Sequence, residues 1–233
     1  MSVTTTALPR FVAQLTPHVS PDTTLPPIGG IYLEADGTHL FAAATDRYTF
    51  ALTRTEAAET EPWKAVIVRS DLTALRALFP ARRRTADLHL TFSRGCTRTP
   101  DGLLTVSDGT RSLTLSAHKA LARKFPKWRP LFADALAAEP RQDTETLYNA
   151  DFLARWAKAA DRHQPLTTWS AGPGKPLLVA AGPDFLGLHM PVALPAHRPD
   201  TPARDRQDRT ALRTTWADTL TTPATARRLK AAA

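Results

Sequence analysis

The chain has 233 residues, of which 42% are hydrophobic, with 30 Lys and Arg against 22 Asp and Glu and a formal charge of +8. That supports a core for one large domain or a domain and a half, and there is no apolar run of about 18 or more residues such as a membrane span needs. A single cysteine, Cys96, excludes an intrachain disulfide and any multi-cysteine metal site, while the basic balance favours a polyanionic partner such as nucleic acid without naming one.

The start, Met1 to Thr6, has neither the basic flank nor the apolar stretch of a secretory signal, so the expected location is the cytoplasm. Leu8, Phe11, Val12 and Leu15 are spaced i, i+3, i+4, i+7 and predict an amphipathic helix. Strands are expected at 31–35, 39–44 and 48–53. The order then repeats: a strand at 65–68, a capping Ser70-Asp71, a helix presenting Leu72, Leu75, Leu78 and Phe79, and strands at 87–92, 102–106 and 111–117. The turn signals Pro100-Asp101-Gly102 and Asp108-Gly109 separate these strands. A third round begins with a strand at 146–148, a capping Asn149 and a helix at 151–160 that buries Phe152 and Trp156. Strands at 166–170, 176–180 and 185–190 complete it. Asp71 and Asp151 hold equivalent places in the first turn of their helices, where free N–H groups favour a carboxylate.

The pattern predicts an α+β protein of three helix-plus-antiparallel-sheet half-units. Residues 1–124 form a complete two-half domain, 125–194 a single half-unit, and 195–233 a basic, Pro- and Thr-rich tail with eight basic and four acidic side chains. The tail is either a solvated end or a DNA contact. The odd half-unit lacks a mate, which leaves two outcomes open. Two chains share a domain as a homo-oligomer, or a tail helix over 208–220, with Leu212, Trp216 and Leu220 on one side, folds back as a cap.

Four strings carry a family likeness: Ile28-Gly-Gly-Ile-Tyr-Leu-Glu34, Ala44-Thr-Asp-Arg-Tyr-Thr-Phe-Ala51, Lys124-Phe-Pro-Lys-Trp-Arg129 and Leu188-His-Met-Pro-Val192. In this order, on these elements, the chain resembles the bacterial DNA sliding clamps, the beta subunit of DNA polymerase III, over about residues 5–194 and shortened to about one and a half clamp domains. The first two strings are similar to the central clamp domain, the third to the junction into the last domain, and the fourth to the final strand.

The resemblance implies a DNA-clamp fold and a processivity factor that binds duplex DNA non-specifically and docks clamp-binding peptides of a DNA polymerase or other replication and repair proteins. The alternative is a decoy that competes for such partners without encircling DNA. Carried over by position, the peptide groove comprises Ile28, Thr45, Arg47, Tyr48, Thr49, Phe50, Pro126, Leu131, Leu188, Met190 and Val192. The DNA-facing cations are Arg69, Arg76, Arg155, Lys158 and Arg162, the last three spaced i, i+3, i+7 opposite Phe152 and Trp156. Three departures stand out: Thr49 occupies a place where the family usually has Arg, Ala193 one where a basic residue commonly follows the last strand, and Pro26-Pro27 occupy a loop that helps guide DNA in the family.

Nothing in the sequence calls for a catalytic role, a metal or a cofactor. The seven histidines are scattered, and Gly172-Pro-Gly-Lys-Pro176 lacks the spacing of a phosphate loop and reads as a hairpin turn. Asp46 has no second carboxylate or base nearby in sequence. An Asp heading a turn bonds its own backbone N–H groups.

Overall fold

The computed structural model describes residues 1–57, 61–81, 87–95, 101–141, 146–161, 163–192, 213–217 and 220. Cys96, Pro100 and Arg162 lie outside them. In chain order the elements are β1 (Ser2–Thr5), α1 (Leu8–Leu15), β2 (Gly30–Ala35), β3 (His39–Thr45), β4 (Thr49–Glu56), β5 (Trp63–Val68), α2 (Arg69–Leu78), β6 (Leu88–Ser93), β7 (Gly102–Ser107) and β8 (Ser112–Ala117). Then come α3 (Lys119–Lys124), α4 (Trp128–Ala137), α5 (Ala150–Arg155), β9 (Thr167–Ser170), β10 (Leu177–Ala180) and β11 (Phe185–His189).

These strands form two antiparallel sheets, β1-β6-β7-β8 and β5-β2-β3-β4-β11-β10-β9. The first two rounds of the repeat exchange their leading strands, β1 pairing with β6 and β5 with β2. Reciprocal bonds between Val66 and His118 join the sheets. Gly30 makes the β2–β5 approach possible, since a Cβ there would lie 2.1 Å from the Ile67 carbonyl oxygen.

The helix faces pack on one side of the sheets. Leu8, Phe11, Val12 and Leu15 of α1 meet Leu72 and Leu75 of α2, Leu90, Leu104 and Val106 of the smaller sheet, and Ile31, Leu33 and Leu40 of the larger one. A separate cluster on the opposite face of the larger sheet joins Tyr32, Phe50, Leu52 and Leu188 to Phe125, Trp128 and Phe132. Coverage from both sides explains why every residue of β2 is buried, where a half-solvated strand alternates.

Several sequence expectations need correction. Val68, not Ser70 or Asp71, is the N-cap of α2, and it supplies no side-chain bond; Asp71 lies inside the first turn. Asn149 does cap α5, accepting from the N–H groups of Asp151 and Phe152. The expected helix over 151–160 ends at Arg155 and tightens into a 3-10 turn, Trp156–Lys158. The strand expected at 146–148 is reduced to a single bridge between Leu147 and Val192.

The third round is not left uncovered. Its last strand, β11, pairs with β4 from Phe185↔Thr53 to His189↔Thr49 and continues the larger sheet. Trp156 is buried in the main core, and Gln14 of α1 donates to the Ala159 carbonyl at 2.6 Å. Cover for this round thus comes from the first round of the same chain, and the tail helix expected over 208–220 lies mostly outside the described residues. Residues 213–217 are helical with exposed side chains, and Trp216 and Leu220 stand in solvent.

Gly187 governs how closely this unit docks, because a Cβ there would fall 2.2 Å from the Trp156 ring. Gly187→Ala is expected to destabilise the protein by about 1–3 kcal/mol through overpacking. Urea unfolding measures this, and a loss under about 0.5 kcal/mol would contradict the close packing of Trp156 on β11.

Candidate functional site

The seam where β4 meets β11 brings the second and fourth of the sequence strings together. Phe50 stands directly opposite Leu188, and beyond the paired strands the Met190 N–H bonds to the Tyr48 carbonyl at 2.8 Å. Side chains alternate across the sheet, so the seam has an outer apolar face and an inner polar one.

On the outer face Ile28, Phe50 and Leu188 form a buried floor. Around it Tyr48 is 51% exposed, Leu131 48%, Met190 42% and Val192 39%, four of the expected groove residues that leave large apolar side chains in water. Pro126 is half-buried and lines a neighbouring cavity of about 480 Å³ with Tyr32, Trp128 and the cations Lys64, Arg123 and Arg129. Thr45 stands opposite Phe50 with its hydroxyl donating to the Thr49 carbonyl. Arg47 is exposed at the rim, 3.9 Å from Asp22. Its φ of 80° is uncommon for a non-glycine residue and is held in a turn braced by the side chains of the two preceding residues, Thr45 and Asp46.

Thr49 does not belong on the groove wall. It neighbours Phe50 on the strand and therefore faces inward, where its hydroxyl meets His18 Nδ1 at 3.0 Å.

The inner side holds a buried polar cluster that joins the third unit to the first. Asp46 Oδ1 accepts from the N–H groups of Tyr48 (3.1 Å) and Thr49 (2.8 Å) and from the Thr49 hydroxyl (2.9 Å), the backbone-bonding role anticipated for it. Its other oxygen accepts from the Arg155 guanidinium, which also donates to Thr49 Oγ1 at 3.2 Å. The two charged side chains are 5% and 23% exposed. Arg155 is thus bound inside the protein and is not a member of a free cationic face, because the 3-10 turn after it breaks the helical spacing that predicted one.

The hydrogen-bond inventory sets both tautomers. Thr49 gives its one proton to Asp46, so His18 carries its proton on Nδ1 and donates; Trp156 Nε1–H donates to His189 Nδ1 at 3.2 Å, so His189 carries its proton on Nε2. Among the described residues both Nε2 atoms are buried without a partner. Burial, and then the Arg155 charge, push His18 down to about 3 and His189 down to about 4, against a smaller opposing pull from Asp46. Burial raises Asp46, but the bonds from Arg155 and Thr49 outweigh it and hold the carboxyl below its ordinary value. Aromatic contacts carry the cluster out to the rim, with Arg155 over the Phe152 ring (4.2 Å) and Phe152 stacked on Tyr48 (5.3 Å).

On the helix side Arg76 and Lys158, from different rounds of the repeat, are exposed and share a cleft of about 630 Å³ with Pro9, Ala13 and Phe79. Arg69 is exposed near the start of α2 and donates to the Val19 carbonyl at 2.8 Å. Among the described residues no group of three or more His, Cys, Asp or Glu could hold a metal, and no helix is long and apolar enough to cross a membrane.

No protein-family model matches this sequence, and no curated protein does. Solved structures do match in fold. A putative DNA polymerase III beta subunit from Eubacterium rectale superimposes with a TM-score of 0.66 at 10% identity, covering 82% of this chain and 65% of that one. The beta subunit from Thermotoga maritima gives 0.64 at 11%, covering 83% and 65%. A sliding clamp from Pseudomonas aeruginosa bound to griselimycin gives 0.62 at 11%, covering 83% and 66%. The chain therefore has the sliding-clamp fold and spans about 65% of the length of the Eubacterium and Thermotoga clamps.

Acid should loosen the seam. Both histidines have folded values below the ordinary 6.5, so the unfolded chain binds more protons as pH falls. Their contribution is complete above pH 6.5 and is lost progressively toward about 4 for His189 and about 3 for His18, and the stability from Asp46 is lost as pH falls through its own lowered value. The expected fall in unfolding free energy between about pH 7 and about pH 4.5 is a few kcal/mol. The double variant His18→Gln/His189→Gln should show a shallower slope in urea titrations across that range. An unchanged slope would mean that the imidazoles are not buried in their neutral form.

Proposed function

We propose that this protein is a clamp-like tethering factor for DNA replication or repair. It lies on duplex DNA through non-specific charge contacts and holds a DNA polymerase, or another protein, by a short extended peptide docked along the β4–β11 seam. It acts by binding and not by catalysis; Asp46, the buried carboxylate of the seam, is fully engaged by backbone, Thr49 and Arg155.

The observation that carries the reading is the outer rim. Tyr48 and Met190 come from distant parts of the chain, are bonded through their backbones, and with Val192 and Leu131 leave apolar side chains in water beside the floor of Phe50 and Leu188. Apolar patches of this kind mark interaction sites, and an extended peptide can lay alternate side chains along such a surface. Met190 supplies an adaptable wall. A labelled peptide of the pattern Gln-x-x-apolar-aromatic is expected to bind with a Kd in the micromolar range, about −8 kcal/mol. Met190→Asp should abolish that binding with little loss of stability, since the side chain is exposed. Fluorescence polarisation decides, and absence of binding up to ~1 mM peptide, about −4 kcal/mol, would sink the peptide-docking reading.

The DNA contact rests on the charge of +8 and on Arg76 and Lys158 meeting at one cleft on the helix side, with Arg69 at the start of the same helix. Contacts of this type read phosphate charge and not sequence. The double variant Arg76→Glu/Lys158→Glu should weaken duplex binding and reduce the slope of log K against log salt by about 0.9 for each phosphate no longer neutralised. An unchanged slope would mean that the two side chains are merely solvated.

A second reading, a regulator that competes for clamp partners without encircling DNA, is favoured by the Arg155–Asp46 pair, which withdraws one expected cation from the DNA side. Mass in solution separates the two. A processivity ring requires an oligomer on DNA, whereas a decoy acts as a single chain with or without it.

A further inference from the structure

The docking surface already has an occupant from the same chain. The floor residues Ile28, Phe50 and Leu188 share one packed cluster with Phe132 of α4, whose ring meets Phe50 edge-on at a centroid distance of 5.5 Å. The segment that carries α4 starts at Phe125, stacked on Tyr32 of β2 at 4.6 Å. It reaches the far end of the sheet at Arg141, whose N–H bonds to the Ser170 carbonyl of β9 at 2.8 Å. The segment therefore crosses the outer face from β2 to β9 and passes over the β4–β11 seam.

The two ends of α4 are held unequally. At its start Arg129 bonds to Glu34 (3.1 Å) and Asp36 (3.4 Å) and lies over the rings of Trp128 (4.2 Å) and Phe41 (4.7 Å). Further along, Phe132 is its only buried side chain, while Leu131 and Leu136 are about half exposed. The helix has 10 residues, no side-chain cap, no acid in its first turn and no base in its last. A helix so short and uncapped is marginal without its packing.

We propose that α4 is a displaceable strap, in which Phe132 holds the place on Phe50 that the apolar anchor of a partner peptide takes, and the peptide docks by lifting the later turns of α4 from the Arg129–Trp128 end. The proposal rests on the peptide-groove reading above and adds its regulation: affinity is reduced by the fraction of chains whose strap is closed. The ligand class is the same, a short extended peptide with an aromatic or branched aliphatic anchor, because that chemistry replaces a Phe132 edge against Phe50. Tyr48, Met190 and Val192 lie exposed beside the occupied position and offer the first contacts.

The test uses the full chain and a fluorescein-labelled peptide of the pattern Gln-x-x-Leu-Phe, with three proteins compared by fluorescence polarisation. Ala133 is exposed in the middle of α4, so Ala133→Gly weakens the helix while leaving its packing on the sheet in place. It should tighten peptide binding about fivefold, the helix penalty of glycine. Phe132→Ala empties the position and should tighten binding by more; if it fails to fold, Ala133→Gly alone decides. Wild-type binding with unchanged or weaker binding by Ala133→Gly overturns the strap and leaves the groove reading standing. No binding by any of the three proteins overturns both.

Discussion

The rest of the structure depends on the pairing of β11 with β4. It is a seam between segments far apart in sequence, and it turns three short strands that could not stand alone into the continuation of a seven-stranded sheet. Packing and charge together hold it. Trp156 lies against Gly187 at a distance that only glycine permits, and Arg155 reaches Asp46 on the far side of the seam. A buried ion pair is weak evidence for net stability, since desolvation offsets the attraction; removing one partner, however, strands the other charge at a cost of about 3–5 kcal/mol. The Asp46–Arg155 pair thus specifies how the third unit sits more than how firmly the protein folds.

The same pair connects the interior to the proposed docking surface. Asp46 ties down the N–H groups of Tyr48 and Thr49, Arg155 covers Phe152, and Phe152 stacks on the Tyr48 ring. The rim is consequently built on a rigid inner layer, while its outer cover, α4, packs through Phe132 and the half-buried Ala135 between the bonds of Arg129 and Arg141. Preorganisation beneath and a light cover above suit a surface that must accept a partner and release it.

Much of this was legible in the sequence, for reasons that differ from element to element. The strands carry alternating or continuous apolar runs between turn residues, so β2 to β8 fall within a few residues of expectation, and Asn149 announced α5 by its capping chemistry. The fold was readable as a resemblance because four strings keep their order, although solved clamps are only 10% to 15% identical. What escaped was of two kinds. Local rules missed β1, four residues with two Thr, the six-residue α3, and α4, whose Pro130 reads as a breaker although proline is tolerated in a first turn. Long-range chemistry was out of reach: Arg155 and Asp46 are 109 residues apart, and nothing near either names the other. Thr49 is the exception, since strand alternation alone shows that it and Phe50 cannot both face the groove.

If the third unit closes on β4 within a single chain and so builds the docking surface, amide hydrogen exchange on the protein will register it. The amides of Gly187, Leu188, His189 and Met190 should then be protected to the same degree as those of β3 and β4, with which they share one sheet and one core. Rapid exchange along β11 while β3 and β4 stay protected would mean that the unit is undocked in solution and that the β4–β11 seam does not hold the fold together.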